Sequence, residues 1–337
     1  MMRRFVLMAA VVALVATGCG GSSDPSANAG PARARPLVYS LTGDATLQYH
    51  TEMETVMTAT FGEELTSLDP TMPASMKTEM AMAFDSTYRI EDGPDPGTYR
   101  VAMTLDNISL ESGSVEMGRE KVDLGDVPQS EIDAALASQL PEFVYIINDK
   151  GEVVSVEFGG VAVNVEGLLG GTSAGSFTGG QMFGPQLPEG EVNVGDTWTT
   201  TSTQEFGDKV IATEETHTIL RTEERNGIET WVIKTKSKTG AYTITWEDMI
   251  ALYEEFGGIQ NMEGMEGMPP SFQMAMRSSP TSTTMMTWLD PVSGRAIAVD
   301  VSGNVAMTME MGGLPGMAGS FSMDMDGYTH LTMELAN

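Results

Sequence analysis

Residues 295–311 read RAIAVDVSGNVAMTMEM. The odd positions carry Ile297, Val299, Val301, Gly303, Val305, Met307, Met309 and Met311. The even positions from Ala298 to Glu310 are small, polar or acidic. A period of two is that of a strand with one dry face. Held across this stretch, it predicts a strand roughly 50 Å long, at about 3.3 Å per residue. Parallel α/β sheets bury both faces and need continuous apolar runs. Long strands that are dry on one side only predict a large antiparallel sheet instead.

The same habit recurs along the chain. Leu37, Tyr39, Leu41, Ala45, Leu47 and Tyr49 share one side of a predicted strand over 37–50. Met76, Met80, Met82, Phe84, Tyr88 and Ile90 share one side of a second, with Lys77, Glu79, Asp85 and Arg89 opposite. EDGPDPG (91–97) is a turn, and a return strand carries Tyr99, Val101, Met103 and Leu105. Its phase slips at Asp106-Asn107 and resumes at Ile108 and Leu110, as a β-bulge would produce. FVYIINDKGEVVSVEF (143–158) reads as a hairpin turning at Asp149-Lys150-Gly151. Strands are predicted at about 209–222, 228–236 and 241–247, and two more flank Asp290-Pro291-Val292-Ser293-Gly294. SFSMDMDGYTHLTMEL (320–335) places Phe321, Met323, Met325, Leu331, Met333 and Leu335 on its dry side. Helix signals are few: PQSEIDAALASQL (128–140), with Ser130 as its cap, and EDMIALYEEF (247–256). The fold class is mainly β: a large curved antiparallel sheet or half-barrel with a few short helices.

The first eighteen residues read as a lipoprotein signal peptide. Arg3 and Arg4 precede the apolar run FVLMAAVVALVA, which is short for a membrane span. Ala16-Thr17-Gly18-Cys19 then resembles the lipobox of bacterial lipoproteins. That resemblance implies cleavage before Cys19 and lipidation of its sulfur and amine. Residues 19–36 are small, polar and proline-bearing, a flexible tether. The body divides at the glycine-rich stretch 169–187 into an N-terminal half, 37–168, and a C-terminal half, 188–337. Gly20 stands where an aspartate would signal inner-membrane retention, which favours the outer membrane. The expected location is the cell envelope, facing periplasm or exterior.

The chain has 47 acidic residues against 18 basic, a formal charge of −29. Phosphate backbones need a positive surface, so nucleic acid is excluded as a partner. The composition fits a solvated acidic coat. Lipobox, tether and long one-sided strands together resemble the lipoprotein-carrier superfamily of bacterial envelopes. That resemblance implies a curved half-barrel enclosing an apolar cavity for acyl chains. LPEGEVNVGDTWT (187–199) also resembles a segment of uncharacterised bacterial lipoproteins.

Enzymatic signals are poor: no HExxH, phosphate-binding loop or G-x-S-x-G elbow occurs, and among 47 acidic residues no glycosidase pair stands out. The reading is a non-enzyme with no cofactor. His50, His217 and His330 each fall on the polar side of a strand pattern and read as surface residues. Asp324 and Asp326 lack the ligand alternation and glycine of a calcium loop. Methionine decides the remaining question, since the chain holds 27. Met262, Met265 and Met268 form M-x-x-M-x-x-M in a predicted loop, with Met274 and Met276 close behind. Thioethers select Cu(I), so this loop is a candidate metal site. Met80, Met82, Phe84, Met103, Met307, Met309, Met311, Met323, Met325 and Met333 are different. They lie on dry strand faces, where branched residues usually fit the pleat better. Flexible methionine there predicts an adaptable core or a cavity for an apolar ligand or lipid. The functions in contention are an apolar-ligand lipoprotein, an adaptor holding an envelope protein, and a methionine-based Cu(I) binder. An outer-membrane barrel fits the alternation, but would make a lipid anchor redundant.

Overall fold

The structure, a computed structural model, describes residues 35–37, 39–41, 45–68, 73–126, 143–158, 161–163, 184–206, 209–255, 271–313 and 319–336. The signal peptide, Cys19, most of the tether, the predicted helix 128–140 and the Met262–Met265–Met268 motif lie outside them.

The early strands are β1 (Arg35–Pro36), β2 (Ala45–Phe61), β3 (Ser75–Asp92), β4 (Thr98–Met117), β5 (Glu120–Asp123), β6 (Phe143–Asn148), β7 (Val153–Phe158), β8 (Val161–Val163) and β9 (Glu191–Val192). The later ones are β10 (Thr197–Phe206), β11 (Lys209–Arg225), β12 (Ile228–Thr239), β13 (Tyr242–Thr245), β14 (Gln273–Ser278), β15 (Thr281–Leu289), β16 (Ala296–Gly312) and β17 (Ser320–Leu335). The described helices are short: α1 (Glu63–Leu68), α2 (Trp246–Glu255) and a 3-10 turn at Leu124–Asp126. Among the described residues, fifteen strands form one sheet, whose main path runs β10-β11-β12-β15-β16-β17-β2-β3-β4-β6-β7-β8. Every pairing is antiparallel, and the path does not close into a barrel. Both halves of the chain share this sheet, because the last strand, β17, pairs with β2 over thirteen register positions from Leu335↔Tyr49 to Met323↔Phe61.

Bulges and breaks interrupt the ladder. The phase slip read at Asp106-Asn107 is real: the β3–β4 register shifts between Ala83 and Asp85, and Asn107 holds φ 51°. A second bulge ejects Ile297, so Leu289 pairs with Ala296 and the dry phase of β16 begins at Val299. The uninterrupted run predicted from Ile297 is corrected accordingly. β14 and β15 lie end to end along one edge of β16, separated at Ser279-Pro280. β12 and β13 are broken alike at Gly240-Ala241. Proline has no N–H for the ladder, which suits it to such a break.

Residues 37–41 correct another expectation. Leu37, Tyr39 and Leu41 are buried as the alternation required, but they leave the sheet. The Tyr39 N–H donates to the Asp149 carbonyl in the β6–β7 turn, and the Ser40 N–H to Ser293 in the β15–β16 turn, each at 2.9 Å. The segment therefore crosses from one wing of the sheet to the other. One apolar cluster results, uniting Tyr145 and Ile147 of one wing with Ile219, Trp231 and Ile233 of the other around Leu37 and Tyr39. Residues 184–192 complete this sealed end. Tyr39 Oη donates to the Pro185 carbonyl at 3.0 Å, and Leu187 N–H to Lys150 at 3.0 Å.

Candidate functional site

In an antiparallel ladder, directly opposed residues share a face. The register therefore maps the inner face row by row. Nearest the sealed end lie Leu47 opposite Tyr88, then Tyr88 opposite Met103. Tyr49 packs edge-to-face on Tyr88 at 5.4 Å, and its hydroxyl donates to the Ala296 carbonyl at 2.8 Å. Burial pushes the hydroxyls of Tyr39, Tyr49 and Tyr88 up, so they stay protonated donors.

A middle row runs Met82–Met53–Leu331–Val301–Met285–Thr235–His217–Trp198 across the sheet. His217 is fully buried here, which corrects its reading as a surface residue. Its phase was available in β11: Ile211, Thr213, Glu215, His217 and Ile219 share one parity, and Ile211 and Ile219 are both core. The polar interior of that run hid it. His217 Nδ1 and Nε2 hydrogen-bond the hydroxyls of Thr235 (2.9 Å) and Thr200 (2.8 Å). Trp198 stacks on the ring at 5.0 Å, and its indole N–H donates to the Gln186 carbonyl at 2.9 Å. Burial lowers the His217 pKa to about 4, so the ring is neutral at pH 7. Ser237 donates to Glu215 Oε1 at 2.7 Å, and Glu215 Oε2 lies 3.8 Å from His217 Nε2. His50 and His330 do lie on the outer face, each against an aspartate, Asp85 and Asp300.

The far end of the inner face is methionine. Met307 faces Met325, Met309 faces Met323, and Met311 faces Phe321. β17 continues the rows onto Ala59 and Phe61 of β2, and Ala59 onto Met76 of β3. On the other side, Met274 faces Met311 and Met276 faces Met309. Met274 and Met276 thus belong to a strand of this face, not to the loop where the sequence had grouped them. Met57, Ala59 and Met325 are buried, while Phe61, Met76, Met307, Met309 and Met323 around them are half-buried.

All ten residues proposed for a cavity occupy inner-face register positions, but nine of them fall in three groups and Phe84 stands apart. Met103 and Met333 are sealed in the main core. Met80 and Met82 join Met53 in a separate buried cluster. Phe84, half-buried, faces Thr51. Met307, Met309, Met311, Met323 and Met325 form the far end. The outer face is polar: Asp324 and Asp326 are exposed, with Asp324 accepting from Thr308 Oγ1 at 2.6 Å. The Asn107 bulge opens an outer cleft of about 390 Å3 lined by Gln48, Asp85, Thr87, Asp106 and Asn107. Hydrogen bonds from Asn107 and then His50 hold Asp85 below the usual carboxylate range. Among the described residues, no group of three or more His, Cys, Asp or Glu is placed to hold a metal ion.

No family model matches the sequence, and neither does any curated protein. Among solved structures, the chain is similar to lipovitellin, in a structure concerned with its lipid–protein interactions. Identity is 7% and the TM-score 0.40, over 88% of this chain and 25% of lipovitellin, so the likeness spans a quarter of that protein. It is also similar to the Pseudomonas aeruginosa protein OccK7 (OpdD), at 7% identity and a TM-score of 0.21, over 86% of this chain and 99% of that one. At these scores no property passes from either protein to this one.

Proposed function

We propose that this chain is a cell-envelope lipoprotein, anchored through Cys19, that binds an apolar, acyl-chain-like ligand on the inner face of its sheet without catalysing a reaction. The observation that carries the binding role is the half-buried methionine field at the far end, opposite an end sealed by aromatic packing and the 37–41 crossing. A sheet sealed at one end and adaptable at the other suits a chain-like guest. Unbranched thioether side chains repack around variable apolar shapes more readily than Val or Ile do. The sequence supports the anchor through its lipobox and tether, and the outer membrane through Gly20.

The test uses the full chain, purified in mild detergent from its native host. Organic extraction followed by mass spectrometry is expected to recover a stoichiometric lipid or other apolar molecule. Extracts identical to those of an unrelated membrane-anchored control would remove the binding role. Separately, Cys19→Ser is expected to abolish incorporation of labelled fatty acid and to release the protein from membranes. Unchanged labelling would remove the anchor.

A further inference from the structure

We infer that the methionine end is also a thioether site for a soft monovalent cation, Cu(I) or Ag(I), built from strands and not from the 262–268 loop. This goes beyond the apolar-ligand reading and stands without it. Six methionines, Met57, Met76, Met307, Met309, Met323 and Met325, meet in one side-chain cluster. They come from β2, β3, β16 and β17, so no sequence spacing reveals the group. Met309↔Met323 and Met307↔Met325 are successive facing pairs on the same two strands. Opposed Cβ atoms in such pairs lie about 5 Å apart, within reach of one ion shared by two flexible thioethers. Ala59 stands between Met325 and Met76 in the next row. Its short side chain leaves those two thioethers room to meet above it.

The donor set is chemically one-sided. The carboxylates on the same strand segments, Glu79, Glu310, Asp324 and Asp326, alternate with the methionines and so lie on the outer face, which leaves thioethers as the donors these strands turn inward. Neutral, polarizable sulfurs favour a soft ion, and a single positive charge costs least to desolvate among them. Four of the six are only half-buried, so an ion has a route in. Met276 and Met274 extend the same face across β14, opposite Met309 and Met311.

The test is an anaerobic Cu(I) titration of the full chain against a chromophoric Cu(I) chelator, with Ag(I) calorimetry as a redox-inert parallel. X-ray absorption at the copper edge reads the donors. A site with sulfur-only coordination is expected. Losing a supporting partner of a metal ligand costs roughly 10–100-fold in affinity, and M309L/M323L, which removes direct ligands, is expected to cost at least that. Leucine keeps the face apolar and near its volume, so this variant should fold and retain any apolar ligand, which separates the two readings. Met76→Leu alone serves if the double variant fails to fold. M262L/M265L/M268L is expected to bind as the unaltered chain does. The proposal falls if the unaltered chain does not compete with the chelator, if the strand variants bind equally well, or if the loop variant alone abolishes binding.

Discussion

His217 is the clearest case of a residue whose place the sequence obscured. Its neighbours Glu214, Glu215, Thr216 and Thr218 are all polar, and only the parity shared with Ile211 and Ile219 points inward. Burial among hydroxyl partners holds its pKa near 4 in the folded chain, against about 6.5 unfolded. The unfolded state therefore binds the extra proton between those values, and stability rises with pH across the window. As pH falls from 7 to 5, this one group is expected to remove roughly 2 kcal/mol of stability. Denaturant unfolding at both pH values, compared with His217→Gln, measures it: the variant should show a smaller pH-dependent loss, and an equal loss would mean the ring is not buried neutral. Gly151 is a second position with a definite requirement. It holds φ 79°, and a Cβ there would lie 2.3 Å from the Tyr39 ring. Gly151→Ala is expected to cost about 2 kcal/mol or more, through backbone strain and displacement of the crossing segment. A melting temperature within a degree or so of the parent would contradict that contact.

At the scale of elements, alternation was legible wherever the inner side was apolar. β3, β4, β17, the β6–β7 hairpin and β16 from Val299 onward follow the phases read from sequence, including the Asn107 bulge. Alternation alone did not show where a dry run leaves the sheet, as at 37–41, because burial there comes from turns far along the chain. It also missed β14: Met274-Ala275-Met276 is too short a run to declare a strand without β16 beside it. The helix α2 was read at 247–256, and the structure places it at Trp246–Glu255 and adds its start. Thr245 Oγ1 accepts from the Asp248 N–H at 3.3 Å, while Asp248 Oδ2 accepts from the Thr245 N–H at 2.6 Å and also meets Lys209. Reciprocal bonds of this kind form a capping box. Burial pushes the Asp248 carboxyl up, but hydrogen bonds from Lys209 first and then from Thr245 outweigh it and hold the group below its ordinary range. Thr245→Ala is expected to destabilise by about 1 kcal/mol, read as a shift in the unfolding midpoint without a change in its slope.

At the scale of the whole molecule, the account makes a claim about two faces. The inner face grades from a sealed aromatic end to a half-open methionine end; the outer face is acidic and polar. The sequence could predict two-sided strands, but not which rows the folded register would align, since β17 meets β2 across almost the full length of the chain. The decisive measurement is therefore face-specific: saturable binding of a fluorescent long-chain fatty acid to the full chain, compared between Met309→Asp on the inner face and Tyr328→Asp on the outer. Circular dichroism establishes that both variants are folded. The account predicts saturable binding by the unaltered chain, loss of roughly tenfold or more in affinity for Met309→Asp, as expected for placing a charge on an apolar contact surface, and little change for Tyr328→Asp. No saturable binding, or equal losses from the two faces, would contradict it.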